Sequence, residues 1–252
     1  MQSTEQQGEL PADFEGLLTS ARQIGLELSP EQLAQFACYR ELLLDWNQRV
    51  NLTAITDPQE VLTRHFLDSL ACLFAIPQAE REQPLKLLDV GSGAGFPGLP
   101  LQIVFPDWQV TVLEATGKKV RFLEEVIARL GLSRARALQS RAEELAHDPQ
   151  HRARYDIVTA RGLAALPTLL EYCLPFCRPS GLVIAPKKGA ISAEVEQGKR
   201  AAAALGGRFV EQRSFSLPGL EDQRALVVFQ AIRAAPAQYP RRAGAAVKKP
   251  LG

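Results

Sequence analysis

Cysteine is scarce: the four in 252 residues (Cys38, Cys72, Cys173 and Cys177) are too few and too scattered for a disulfide framework or a zinc knuckle. Cys173 and Cys177 stand one helical turn apart, as two buried helix cysteines would. No stretch approaches the roughly 18 consecutive apolar residues of a membrane span. Met1-Gln2-Ser3-Thr4-Glu5 has neither the basic region nor the apolar run of a signal peptide, so a cytoplasmic protein with no membrane partner is expected. There is no internal repeat, and 46% hydrophobic with 23% charged residues excludes a disordered class. The length suits one large domain, or one plus a small one. A net charge of +1 makes no global case for nucleic-acid binding, but charge is unevenly placed. Residues 1–31 hold six acids (Glu5, Glu9, Asp13, Glu15, Glu27, Glu31) against Arg22. Beyond Asp222 there is no acid, only Arg224, Arg233, Arg241, Arg242, Lys248 and Lys249. Such an end either meets phosphate or is a solvated tail.

What is present centres on Leu87 to Leu99. An apolar run, Leu85 to Val90, reads as a buried strand, breaks into four glycines within eight residues (Gly91, Gly93, Gly95, Gly98), and resumes as an apolar helical segment, Leu99 to Phe105. Glycines let such a loop turn tightly and let a ligand lie on bare backbone, with the free N–H groups of the next helix aimed at it. An ordinary glycine-rich turn is the plain alternative. Asp89 stands two residues before the first glycine, and Glu114 closes the next apolar run, Val110 to Glu114, where a carboxylate can accept both hydroxyls of a ribose. A dinucleotide dehydrogenase also offers an acid about 20 residues beyond its glycines. Its strand, however, runs apolar straight into the first glycine, whereas Asp-x-Gly-x-Gly-x-Gly is how S-adenosylmethionine-dependent methyltransferases open, the first acid helping to hold the methionine end of the cofactor.

From Pro11 to Ile76 the pattern is helical. Ser29-Pro30-Glu31-Gln32 supplies an N-cap, a proline at the first helical position and a glutamine placed to bond back, and the helix runs toward Val50. Asp57-Pro58-Gln59-Glu60 repeats the device and opens a helix carrying His65, Asp68 and Ser69 at i, i+3 and i+4. A lone helical histidine is read as packing or hydrogen-bonded structure. Residues 1–83 thus form a helical cap, ending in a polar linker from Gln78 to Pro84. Strands are expected at 85–90, 109–114, 135–139, 155–160, 181–185, 208–217 and 225–232. Helices fall between at 99–105, 118–130, 143–146, 165–176 and 192–205. This alternation gives an α/β, Rossmann-like, mostly parallel seven-stranded sheet over 84–233. Only Pro218 to Asp222 joins the last two strands, so they pair as an antiparallel hairpin, which methyltransferases have and dinucleotide dehydrogenases generally lack. Ala234 to Gly252 has the composition of an exposed basic tail.

Ligands of such sheets bind beyond the carboxyl ends of the strands. The candidates there are the glycine loop, Glu114-Ala115-Thr116, Ser140-Arg141-Ala142-Glu143, Ala160-Arg161-Gly162 and Lys187-Lys188-Gly189, with Phe96 as an apolar wall. After strand four there is neither the Asn/Asp-Pro-Pro-Tyr used for exocyclic amines nor a cysteine nucleophile, only Thr159-Ala160-Arg161-Gly162. An acceptor with a free lone pair, such as guanine N7, needs no general base, and an arginine suits it, although Arg161 in a plain structural salt bridge is the competing reading.

Several motifs in order then match one family: Asn51-Leu52-Thr53-Ala54-Ile55, His65-Phe66-Leu67-Asp68-Ser69-Leu70, the Leu88 to Leu99 loop, Lys118 to Leu123, Arg141-Ala142-Glu143, Ala160-Arg161, Lys188-Gly189 and Tyr239-Pro240-Arg241-Arg242. Over nearly its whole length the chain resembles the bacterial 16S rRNA guanine-N7 methyltransferases, the glucose-inhibited division protein B family. The resemblance implies a class I methyltransferase fold, S-adenosyl-L-methionine as cofactor, and 16S rRNA or the small ribosomal subunit as partner. It implies methyl transfer to N7 of one guanosine in the decoding region, giving 7-methylguanosine. By motif, Gly91, Phe96, Glu114, Ala115, Thr116, Ala142, Glu143 and Arg161 contact the cofactor. Arg141, Arg161 and Lys188 face RNA or the target base, making Arg161 and Arg141 the catalytic candidates, and Arg241 and Arg242 anchor the tail on RNA. Two positions depart from the pattern: Ala115 stands where the family often has serine, and Ala245-Ala246 follow Gly244 where a proline is usual. A methyltransferase of small molecules or proteins, an NAD-dependent oxidoreductase and a non-catalytic binding protein are the alternatives.

Overall fold

The capping device read at Ser29 is formed: the Ser29 hydroxyl accepts the Gln32 N–H, and the Gln32 side chain accepts the Ser29 N–H, opening a helix over Pro30–Asn47. The structure, a computed structural model, describes residues 14–252; Pro11–Asp13 of the helical pattern, the acids Glu5, Glu9 and Asp13, and the first five residues lie outside the described residues. A shorter helix, Phe14–Gln23, precedes it. Asp57 caps the next segment, its carboxylate accepting the N–H groups of Gln59 and Glu60. That segment is not one regular helix: an α-turn at Pro58–Val61 widens to a π-helix at Leu62–Leu67, passes through Asp68–Leu70 and tightens to a 3₁₀ turn at Ala71–Ala75. Widened turns of this kind concentrate at functional sites, and this one carries His65 and leads straight into Asp68. The expected linker also contains a helical turn, Gln78–Arg81.

Seven strands follow: β1 Lys86–Val90, β2 Gln109–Glu114, β3 Ala135–Gln139, β4 Tyr155–Thr159, β5 Cys177–Lys188, β6 Gly207–Phe215 and β7 Arg224–Ala231. Their order is β3-β2-β1-β4-β5-β7-β6, with β1 to β5 parallel and β7 antiparallel to both neighbours. The terminal hairpin is therefore as expected. Strand side chains alternate between faces, and two cores result. Leu87, Val110, Val112, Ile157, Ile184 and Val228 pack with the cap and with Leu99, Phe122 and Val126 of the helices Gly98–Val104 and Gly117–Arg129. Leu88, Val90, Val158, Val183, Val227 and Phe229 pack with the helices Leu166–Cys173 and Ser192–Ala204. Cap and sheet are also stitched by hydrogen bonds: Gln35 Nε2 reaches the Leu130 carbonyl at 2.8 Å, and Trp108 Nε1 the Arg81 carbonyl at 3.0 Å.

Three expectations are corrected. The helix expected at 165–176 ends at Cys173 and gives way to a 3₁₀ turn, Leu174–Phe176, because Pro175 has no N–H to continue it; Cys177 then begins β5 rather than standing on a helix. Strand β5 is 12 residues long, extending well before Gly181. The segment from Ala234 is docked rather than exposed throughout. Arg152 donates to the carbonyls of Ala235, Pro236 and Tyr239, the Arg241 guanidinium grips fully buried Glu171, and Ala246 is buried in a final turn, Ala245–Lys248. Composition concealed this because the anchors are a lone carboxylate and a lone guanidinium between 70 and 87 positions from the groups they hold, matched only by folding.

Candidate active site

The glycine loop is held by two carboxylates with different surroundings. Asp89 is fully buried; Oδ2 accepts from the Ser92 hydroxyl at 3.0 Å and the Gly98 N–H at 3.1 Å, and Oδ1 from the Thr159 hydroxyl at 3.0 Å. Burial raises its pKa to about 6 against these three stabilising bonds. Asp89 therefore ties β1, the glycine loop and β4 together from behind the loop. Glu114, at the end of β2, accepts from the Gly93 N–H at 3.1 Å and the Thr116 N–H at 2.8 Å. Two of its roughly four lone-pair directions remain for a diol.

Gly91 and Gly93 both adopt left-handed φ, +68° and +61°. A Cβ on Gly91 would lie 2.6 Å from Leu163, whereas one on Gly93 would enter open space. The bare backbone at Gly93 thus borders a cleft of about 340 Å³, lined by Val90, Gly91, Leu113, Glu114, Ala142 and Glu143, with Leu163 and Tyr172 opposite. Its apolar floor, bare backbone and flanking carboxylates fit an adenosine carrying a cationic sulfonium, and its volume lies in the range of small-ligand pockets. Burial and neighbouring Glu143 push the Tyr172 hydroxyl up to about 12, so it stays protonated.

A second pocket of about 230 Å³ adjoins the cleft at Gly162 and is lined by Asp68, Arg161, Pro186, Lys187, Lys188 and Arg224. Its residues come from four separated parts of the chain, and its charged groups, apart from Lys187, which pairs with Glu194 at 2.7 Å, meet in one ionic network. Asp68 Oδ2 accepts from Arg161 Nη1 at 2.8 Å while Oδ1 pairs with Arg224; Arg224 also contacts Asp222 at 3.0 Å, which lies 3.5 Å from Lys188 Nζ. Arg161 Nη1 further donates to the Arg64 carbonyl, and Nη2 to His65 Nδ1 at 3.2 Å. A guanidinium can only donate, so Nδ1 is an acceptor and the proton sits on Nε2, facing the Thr53 hydroxyl at 2.8 Å. Burial and then the charge of Arg161 press the His65 pKa down to about 3, fixing the neutral ring. The ring stacks on Phe96 at 4.5 Å and 6°, Phe96 stacks on Tyr39, and the Tyr39 hydroxyl donates to the Ala94 carbonyl in the glycine loop.

The residues expected at the site divide accordingly. Gly91, Glu114, Ala115, Ala142, Glu143 and Arg141 all line the cleft, and Thr116 is held at its edge by Glu114. Arg161 and Lys188 line the second pocket instead. Phe96 is 5% exposed and lies behind the loop between Tyr39 and His65, rather than walling the cleft. Arg241 is engaged with Glu171, while Arg242 is exposed. Arg224, which the charge count grouped with the basic end, is 2% exposed and belongs to the second pocket. Sequence reasoning also missed Asp68, Leu163 and Tyr172. Asp68 had a signal, its i+3 spacing from His65 within a matched motif; Leu163 and Tyr172 had none, since ordinary apolar packing explains both.

The family model described as rRNA small subunit methyltransferase G (GidB) matches residues 32–226. A ribosomal RNA small subunit methyltransferase G of Dehalococcoides mccartyi is 49% identical over 228 residues, 90% of this chain and 95% of that one. That of Roseiflexus castenholzii is 47% identical over 235 residues, 93% and 98% of the two chains. Among solved structures, TrmN from Thermus thermophilus superposes with a TM-score of 0.50 at 19% identity, over 68% of this chain and 53% of its own. A branched-chain polyamine synthase variant from the same organism gives 0.53 at 17%, over 78% and 64%. These two likenesses concern the fold alone. Among the described residues no helix is long and apolar enough to cross a membrane, and no group of three or more acidic, histidine or cysteine side chains is placed to hold a metal ion.

Proposed function

The chain belongs to the GidB family of small-subunit ribosomal RNA methyltransferases, and on that premise we propose that its acceptor is N7 of one guanosine in the decoding region of 16S rRNA. It is an S-adenosylmethionine-dependent methyltransferase. The observation that carries the acceptor assignment is the contact, at Gly162, between a neutral cleft sized for the cofactor and a second pocket rimmed by Arg161, Lys187, Lys188 and Arg224. S-adenosylmethionine supplies an electrophilic methyl on a sulfonium, leaving as the neutral thioether when the N7 lone pair takes the methyl.

The work of the protein is placement. Glu114 offers its free lone pairs to the ribose hydroxyls, and the glycine loop lays backbone against the methionine end. Arg161 has three of its five N–H donors committed to Arg64, Asp68 and His65, leaving two for a phosphate or the guanine O6. O6 and N7 share one edge of the base, so a guanidinium donating to O6 orients that edge while N7 stays free to attack. No base is required, because N7 has no proton to lose, and His65, which contacts Arg161 behind the pocket, is held neutral with Nδ1 already bonded. Asp68 holds two arginines against their mutual repulsion and against the positive charge the methylated ring acquires. Arg141, exposed at the mouth of the cleft, and Lys188 meet the flanking RNA backbone. The docked segment reaches this site too: the Gly244 N–H lies 3.4 Å from Glu143 Oε1, and exposed Arg242, Lys248 and Lys249 serve as further phosphate contacts.

The test is transfer of labelled methyl to rRNA that lacks its natural modification, offered both protein-free and as small subunits, followed by nucleoside analysis. A 7-methylguanosine product lost in Arg161→Ala supports the assignment; label in another nucleoside, or none despite cofactor binding, removes it.

A further inference from the structure

A concavity of about 750 Å³, larger than the cleft, lies elsewhere on the protein. It lies across the amino ends of the strands, lined by Lys86 at the start of β1, Gln109 to Thr111 of β2, Ser133 to Arg136 around the start of β3, and Gln150, Arg154 and Tyr155 before and in β4. Five-residue strands rising about 3.3 Å per residue put it roughly 15 Å from the glycine loop, on the opposite edge of the sheet. Four cations line it: Lys86, Arg134, Arg136 and Arg154. No acid lines it. Among the described residues none of the four is ion-paired; the arginines donate only to neutral acceptors, the Asp107 and Pro149 carbonyls and the Thr111 hydroxyl. Asp156, next to Tyr155, is taken by Arg178 and the Lys86 N–H. In the pocket beside the cleft every arginine has a carboxylate partner. The contrast is informative, because four cations in one concavity with no carboxylate partner repel one another, and the few hydrogen bonds to neutral acceptors do not remove that repulsion.

We infer that this groove is a second RNA-binding surface, taking sugar-phosphate backbone on the face opposite the target base; the inference rests on the RNA substrate proposed above. The four strands β3-β2-β1-β4 are adjacent, and at about 4.8 Å per step the cations span some 14 Å, enough for two or three phosphates. Between them, Gln109, Ser133 and Gln150 present neutral donors and acceptors suited to 2′-hydroxyls. Its one aromatic, Tyr155, is 4% exposed and bonded to His151 at 2.7 Å, so bases have no stacking platform there. The groove thus reads backbone rather than sequence, and lets one small protein be held by RNA from two sides.

The experiment compares the whole protein with a Lys86→Gln, Arg134→Gln, Arg154→Gln triple variant, sparing Arg136 because it bonds Thr111. Binding to protein-free 16S rRNA is measured across salt, together with S-adenosylmethionine affinity and the rate at saturating RNA. Losing three phosphate contacts lowers the slope of log K against log salt by about 2–3. The expected result is that lower slope, with RNA affinity down about tenfold or more, while cofactor affinity and saturated rate hold. An Arg134→Lys, Arg154→Lys variant keeps the charge and should keep the slope. An unchanged slope in the triple variant overturns the groove even if methylation proceeds normally. Binding lost only with assembled subunits, and not with protein-free rRNA, also overturns it and points to an acidic ribosomal protein. Failure of the unaltered protein to methylate any RNA removes the substrate reading instead, and the slope still judges the groove.

Discussion

The cofactor cleft and the acceptor pocket touch at Gly162 but are built in opposite ways. The cleft comes from consecutive strand ends, with bare backbone, an apolar floor and charges that balance, Glu114 and Glu143 against Lys119 and Arg141. The acceptor pocket is a charged junction in which Asp68 of the cap joins Arg161 after β4 to Arg224 of β7. A site that binds a constant small ligand can be made locally. One that must orient a base within a large polyanion draws on groups whose positions are fixed by the whole fold, and the difference predicts that damage to one pocket will spare the other.

Arg161→Ala breaks the comparison hardest. Single-turnover rates are expected to fall by about 10²–10³-fold, while calorimetry finds cofactor affinity little changed, since Arg161 does not line the cleft. Equal loss of both would merge the pockets into one site. Glu114→Gln is the reverse experiment. It removes a charge and turns an amide donor toward the N–H of Gly93 or Thr116, weakening cofactor affinity by about 100-fold and leaving the rate at saturating cofactor nearly intact.

His65→Gln separates the pockets by pH. The His65 pKa, lowered in the fold to about 3 from 6.5, means the unfolded chain binds the extra proton first, so stability falls as pH drops from 6.5 toward 3. Asp89 has the opposite sign: with its pKa raised to about 6, the folded state binds the proton first and gains stability as pH falls from 6 toward 3.8. Urea melts at pH 7 and pH 5 should show the variant gaining about 2 kcal/mol on the parent between the two. Parallel curves would mean that His65 is not buried neutral. The smallest effect is expected of Asp68→Asn, a positioning residue: a roughly tenfold lower rate, with RNA affinity kept or raised because a negative charge has gone. Lower RNA affinity at an unchanged rate would make the arginines mere tethers.

The same contrast explains what was legible in the sequence. The cleft could be read because its parts are short contiguous signals: an apolar strand, then glycines where left-handed φ is required, then an acid closing the next strand. Capping at Ser29 and Asp57 was readable for the same local reason. Asp68 and Arg224 were not, being 156 positions apart, and a charge count placed Arg224 in the tail. The Phe96 stack on His65 escaped because a ring beside glycines suits a ligand wall and a core contact equally well. The docking of Arg241 on Glu171 escaped because nothing in a basic, alanine-rich segment says which buried acid awaits it.

The bond between Asp68 and Arg224 also bears on how the chain is made. At about 5–20 residues per second, the 156 positions separating them take on the order of 10–30 s to synthesise. Throughout that interval the cap carries a carboxylate whose partner does not yet exist. The acceptor pocket is therefore among the last features of the newborn protein to be completed, well after the glycine loop, so a truncated product of stalled synthesis could hold cofactor long before it could present it to RNA.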